Sequence, residues 1–142
     1  MSFDFADFNR QVIEEFRANG GRVAGNFGGV EEGATLLLLH TTGARTGKPR
    51  LHPLAYLPHG DAFVVFASKA GAPTNPDWYH NLRASPRTRI EVGSEVLQVV
   101  ARVAEGEERE RLWTAQKERM PYFAKYERRT TRRIPVVVLE RA

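Results

Sequence analysis

Ala34-Thr-Leu-Leu-Leu-Leu-His-Thr-Thr-Gly-Ala-Arg-Thr-Gly-Lys-Pro-Arg-Leu-His-Pro-Leu-Ala-Tyr-Leu57 holds two short apolar runs with a turn between them. Gly43, Gly47 and Pro49 punctuate the link, and so short a connection can only join antiparallel neighbours. Working outward, six segments read as strands: 34–41, 50–57, 62–67, 88–92, 96–104 and 134–140. They are brief, rich in Val, Leu, Ile and Phe, and bounded by turn signals such as Pro58-His-Gly-Asp61 and Gly93-Ser94. Few helices are available to cover such a sheet, so closure into a barrel is the economical way to remove its edges.

Helical spacing appears in three places. Phe5, Phe8, Val12 and Phe16 follow one another at intervals of three, four and four, one apolar face of a helix that stops at Asn19-Gly20-Gly21. A second helix is expected from Pro76 to about Ala84, with Asn75 as its cap. A third starts near Glu105, with Glu107 and Glu108 in its first turn, where the helix dipole favours acids. The expected fold is therefore α+β, mainly β: a six-stranded antiparallel barrel with an N-terminal helix and two or three short helices. Residues 1–33 form the helix and a Gly-rich loop, residues 34–142 the barrel, and the whole is one domain.

The composition narrows the chemistry. With 142 residues, 42% of them hydrophobic, the chain can bury a core. It has no cysteine, which excludes thiolate metal sites, disulfides and thiol nucleophiles. It has no apolar run of membrane-spanning length, and its acidic start is unlike a signal peptide, so a cytoplasmic location is expected. The Phe-rich helix offers peripheral membrane contact as an alternative to packing on the barrel.

The net charge is +4, and it is unevenly placed. Between Ala34 and Pro76 stand Arg45, Lys48, Arg50 and Lys69 against Asp61 alone, so +3 of the total lies there. Such a local excess suits an anionic ligand. The first turn, 41–50, combines glycines, hydroxyls and three cations, but its spacing is not that of a Walker loop. A solvated hairpin turn is the plain alternative. Lys69, beside the expected second helix, adds another anion-binding element. Residues 117–133 are basic and aromatic, readable as a lid, a solvated connection or a nucleic-acid surface. His40, His52, His59 and His80 lie in no metal-binding pattern. A chain without a nucleophile, metal set or acid–base pair, yet with an anion site, fits a protein whose cofactor carries the reaction.

These residues also carry a resemblance. Thr41-Thr-Gly-Ala-Arg-Thr-Gly-Lys-Pro-Arg-Leu-His-Pro-Leu54, Ala67-Ser-Lys-Ala-Gly71, Asn75-Pro-Asp-Trp-Tyr-His-Asn-Leu82 and Arg133-Ile-Pro-Val136 strongly resemble the deazaflavin-dependent nitroreductase family, in order over residues 36–139. The resemblance implies a split β-barrel of the FMN-binding-like type and coenzyme F420 as hydride donor to a quinone, enone or nitro compound. It places Ala44, Arg45, Thr46, Lys48 and Arg50 at the anionic tail and phosphate. Pro53, Leu54, Ala67, Ser68 and Lys69 then lie along the cofactor, and Asp77, Trp78, Tyr79 and Asn81 on the helix that closes over it. Ser68 and Tyr126 are the expected catalytic residues, and Ala55, Phe123 and Tyr126 the acceptor-binding ones.

Two departures stand out. Ala70 replaces a glycine usual in the second motif. Ala55, Met120 and Phe123 occupy places that are tyrosine-rich in the best-known nitroreductase, which argues against bulky nitroimidazoles as substrates. The rival readings are an FMN-dependent enzyme on the same barrel, a non-catalytic F420 carrier, and a nucleic-acid module built on the basic tail. The resemblance favours the F420 enzyme, a monomer or homodimer with no nucleic-acid partner and no metal.

Overall fold

A computed structural model describes residues 5–21 and 36–142. The Gly-rich segment expected up to Gly33 and the first two residues of the expected first strand lie outside them. The elements run α1 (Phe5–Ala18), β1 (Leu36–Thr42), β2 (Pro49–Ala55), β3 (Leu57–His59), β4 (Ala62–Phe66), a 3-10 turn (Lys69–Gly71), α2 (Asp77–Ala84), β5 (Arg87–Val92), β6 (Glu95–Val103), α3 (Gly106–Arg119), α4 (Phe123–Arg128) and β7 (Val136–Arg141). The strands form one antiparallel sheet in the order β2-β1-β5-β6-β7-β4-β3.

The sheet has seven strands rather than the expected six. The run read as one strand over 50–57 divides at Tyr56 because the chain changes partner there. Ala55 still faces Leu36 of β1, while Leu57 faces Val64 of β4. The first and last strands of the sheet are thus one piece of chain, and this is what curls it.

Alternation assigns the two faces. Leu37 and Leu39 of β1, Phe63 and Val65 of β4, Ile90, Val99, and Val137 and Leu139 of β7 point into a shared interior. Trp78, Tyr79 and Leu82 of α2 close that interior from one side. The intervening residues point outward and are covered in turn. Val64, Phe66, Val136 and Val138 meet Leu112 and Trp113 of α3, Met120, and Phe123 of α4. Leu36 and Leu38 meet Val12 and Phe16 of α1. Both faces of β1, β4 and β7 are therefore apolar, and each fully buried Leu or Val contributes about 1.5–3 kcal/mol.

The packing of α1 corrects the membrane alternative at two of its four apolar positions. Val12 and Phe16 are only 3% and 1% exposed, held against the sheet; the side chains of Phe5 and Phe8 lie outside the described residues. Arg17 adds a paired contact to Glu91 of β5 at 2.7 Å, and the same carboxylate meets His40 of β1 at 2.7 Å. Past the helix end, Gly21 (φ +96°) lies so close to the β5–β6 turn that a Cβ would stand 2.6 Å from Gly93 Cα. No helix among the described residues is long and apolar enough to cross a membrane.

Candidate functional site

At the mouth of the curl, between the β1–β2 hairpin, the loop after β4 and the start of α2, is a cleft of 660 Å³. Its size suits a small-molecule cofactor. Seven residues expected at the site line it: Ala44, Arg45, Thr46, Arg50, Lys69, Asp77 and Asn81. Its lining holds three cations and one carboxylate. Among the described residues, none of Arg45, Lys48 and Arg50 has a carboxylate within ion-pair distance.

The hairpin is shaped by its own glycines. Gly47 (φ +69°) donates its N–H to the Gly43 carbonyl, and Gly43 donates to Lys48. A Cβ on Gly43 would come within 2.7 Å of Thr46 Oγ1, so glycine is needed for that hydroxyl to turn inward. Lys48 stands on the hairpin outside the cleft lining, its amide donating to Thr46 Oγ1 at 3.3 Å.

Beneath the hairpin runs a buried polar chain. Asn81 Oδ1 accepts the Ala44 N–H at 2.9 Å, which fixes the orientation of that amide. Asn81 Nδ2 then donates to Thr41 Oγ1 at 3.0 Å, and Thr41 Oγ1 meets His52 Nε2 at 3.0 Å. Burial holds the His52 pKa down to about 4, with Arg50 adding to the effect and Asp77 opposing it. The ring is therefore neutral at pH 7, one of its nitrogens bonded to the Thr41 hydroxyl. α2, β1 and β2 are locked to the hairpin by these four groups.

The sequence reading gave no site role to His52, His80 and Thr74, which line the cleft together with Gly43 of the expected anion-binding turn and Asn75, expected there as a helix cap. Signals for two were present. His52 follows Arg50 at the strand period of two. Asp77, His80 and Asn81 share one face of α2 at i, i+3 and i+4. The opposite face, Trp78, Tyr79 and Leu82, belongs to the core; Tyr79 borders clefts on the β6 side instead, and Arg83 lies 5.8 Å over its ring. The expected cap of α2 is corrected as well. Pro76 occupies the cap position, and the helix begins at Asp77. Asn75 Oδ1 is engaged elsewhere, accepting from Arg132 Nη1 at 2.7 Å.

The other expected residues do not line the cleft. Leu54 packs on the interior, and Pro53 pairs with Leu38. Ala67 and Ser68 are buried where β4 leads into the loop. Ala55, Met120, Phe123 and Tyr126 belong to the cluster under α3 and α4. Tyr126 is half-buried, its ring 5.2 Å from Phe123 and 5.6 Å from Tyr122; burial raises its phenol pKa, Arg129 acting the other way. Among the described residues no three His, Cys, Asp or Glu side chains gather as a metal site.

A curled antiparallel sheet with an apolar interior, and cations left without acids at its mouth, has the form of a split barrel with room for an anionic small molecule. Residues 8–141 match the F420H(2)-dependent quinone reductase family, and the chain belongs to it. An F420H(2)-dependent quinone reductase of Mycobacterium tuberculosis is 41% identical over 129 residues, covering 89% of this chain and 85% of that protein. A solved F420-H2 dependent reductase is 40% identical and superposes with a TM-score of 0.68, covering 74% of this chain and 93% of its own. A second solved structure, described as a domain-swapped dimer, is 34% identical with a TM-score of 0.70, covering 92% of this chain and 93% of its own.

Proposed function

We propose that the 660 Å³ cleft is the seat of coenzyme F420 in an F420H(2)-dependent quinone reductase, and that Arg45, Arg50 and Lys69 bind its anionic portion. Family membership gives the cofactor and the reaction class. The observation that carries the assignment to this cleft is the set of cations without acid partners: the counter-charges they lack are those a phosphate and a carboxylate tail would bring. Lys48, on the rim, strengthens the same field. Ala44 and Thr46 shape the hairpin beside them, Asn81 anchors the Ala44 amide, and Asp77 stands at the far wall.

When bound, the reduced deazaflavin supplies a hydride equivalent to an electron-poor organic acceptor. The protein places the two partners and handles the proton. Pro53, Leu54, Ala67 and Ser68, at the strand ends next to the cleft, would border the ring, while Trp78 and Tyr79 support α2 from the core side. Ala55, Phe123 and Tyr126 form the apolar surface for the acceptor. The Tyr126 phenol, protonated at neutral pH and with its pKa raised further by burial, holds a proton at its hydroxyl for the acceptor oxygen. A homodimer is the assembly favoured by the relative described as a domain-swapped dimer.

The test pairs binding with turnover. The protein is titrated separately with F420 and FMN, and reoxidation of reduced F420 is then followed with a menadione-type quinone. Tighter binding of F420 and steady reoxidation are expected. Tighter binding of FMN would point to the rival flavin enzyme, and binding without reoxidation to a carrier. Ser68→Ala and Tyr126→Phe should each slow reoxidation, and an unchanged rate would remove the role given to that residue.

A further inference from the structure

Arg132 lies outside the cleft, yet it is bonded to the loop that supplies Lys69, Thr74 and Asn75 to the cleft lining. Its guanidinium donates four hydrogen bonds into the loop between β4 and α2. Nη2 reaches the Ser68 carbonyl at 2.7 Å, and Nη1 reaches the Ala67 carbonyl at 3.0 Å and Asn75 Oδ1 at 2.7 Å. Nε reaches the Ala72 carbonyl at 2.9 Å. The two ends of the loop are thereby tied to one rigid planar group, and only a guanidinium presents donors in that many directions at once.

The loop so held is bent into an unusual shape. Lys69 adopts φ +46°, the one described non-glycine residue with positive φ, a conformation that persists only where the surroundings impose it. Gly71 (φ +82°) sits against the segment leading to Arg132: a Cβ there would fall 2.7 Å from Arg129 Cβ and 2.9 Å from the Tyr126 carbonyl. Lys69, Thr74 and Asn75 line the cleft from this loop.

The partners of Arg132 are all neutral oxygens. Arg102 has Glu108 and Glu140, and Arg109 has Glu110; Arg132, among the described residues, meets no carboxylate. Its positive charge stays uncompensated directly behind Lys69. An arginine needed only to join two pieces of chain would be cheaper with an acid beside it.

We propose that Arg132 is a positioning residue for the cofactor site. It fixes the 67–75 loop so that Lys69 faces the cleft, and it adds a second positive charge behind that wall. The proposal rests on the reading of the cleft as the F420 site, and its test is chosen so that the two can fail separately. The full chain carrying Arg132→Lys, and separately Arg132→Gln, is compared with wild type by amide hydrogen exchange without ligand, thermal unfolding, and F420 titration. Both variants should exchange faster at residues 68–75, by about tenfold, with β1 and β7 unchanged. F420 affinity should fall about tenfold in Arg132→Lys, since lysine keeps the charge but cannot span four acceptors, and further in Arg132→Gln, which loses the charge as well. The quinone rate at saturating F420 should change far less than the affinity. Wild-type exchange and affinity in Arg132→Lys would overturn the proposal, as would faster exchange spread evenly over all strands. If wild type bound no F420, the cleft assignment would fail, while the exchange pattern would still decide whether Arg132 organises the loop.

Discussion

Around the cleft, Arg45, Lys48 and Arg50 stand close in sequence with no acid to meet them among the described residues. On the flank built by α3, β6 and β7 the cations are matched. Arg102 bonds Glu108 at 2.6 Å and Glu140 at 2.7 Å, Arg109 and Arg133 share Glu110, and Lys117 meets Glu127 of α4 at 3.2 Å. The same residue types thus serve two ends. Matched charges tie elements together and contribute modestly to stability. A crowd of like charges costs stability, and at a cleft mouth that cost is the one expected of the proposed anion site.

The largest effect that could break this contrast is on cofactor binding. The triple variant Arg45→Gln, Lys48→Gln, Arg50→Gln should bind F420 about a hundredfold more weakly, or worse, in a titration followed by cofactor absorbance. Its thermal unfolding temperature should hold steady or rise, because repulsion is relieved. An unchanged affinity would reduce those cations to solvated surface.

The pH dependence of folding sharpens the contrast next. In the folded state His52 titrates at about 4, against about 6.5 when unfolded. As pH falls below 6.5 the unfolded chain takes up the proton first, so stability declines until about pH 4 and is constant beyond it. The loss attached to this one ring is on the order of 3 kcal/mol. Urea unfolding at pH 7 and pH 4.5 should show that part of the decline removed in His52→Gln.

Smaller still is the effect of cutting the polar chain under the hairpin. Asn81→Ala strands the Ala44 amide and removes one of the two bonds to the Thr41 hydroxyl, at about 2 kcal/mol in urea unfolding, and should weaken F420 binding by about tenfold as the hairpin loosens. On the matched flank, Arg102→Gln should cost no more than about 1 kcal/mol and leave F420 affinity alone. A change of affinity there would blur the division between the two sides.

The fold was largely legible because β1, β4 and β7 repeat apolar residues with clean turns between them. β3 escaped because nothing in Ala55-Tyr56-Leu57 signals a turn; the break is a change of partner, set by β4. The cationic half of the site was legible as local charge excess, since Arg45, Lys48 and Arg50 fall within six residues of chain. The polar chain was not, for Thr41, His52 and Asn81 meet across 11 and 40 positions. Arg132 was hidden for the same reason. Within a basic tail it looked like its neighbours, and only the carbonyls some 60 residues earlier set it apart.

The joint at Tyr56 has a further bearing on how the sheet tolerates damage. A chain scission at Gly60, in the turn between β3 and β4, would leave every strand still adjacent to its partner. A scission at Tyr56 would cut the covalent link between the two end strands, β2 and β3, and leave the curl held by the β1-β5-β6-β7-β4 pairings alone. Of two circular permutants opened at these sites, the one opened at Tyr56 should therefore be the less stable to urea, its end strands no longer held together by the chain.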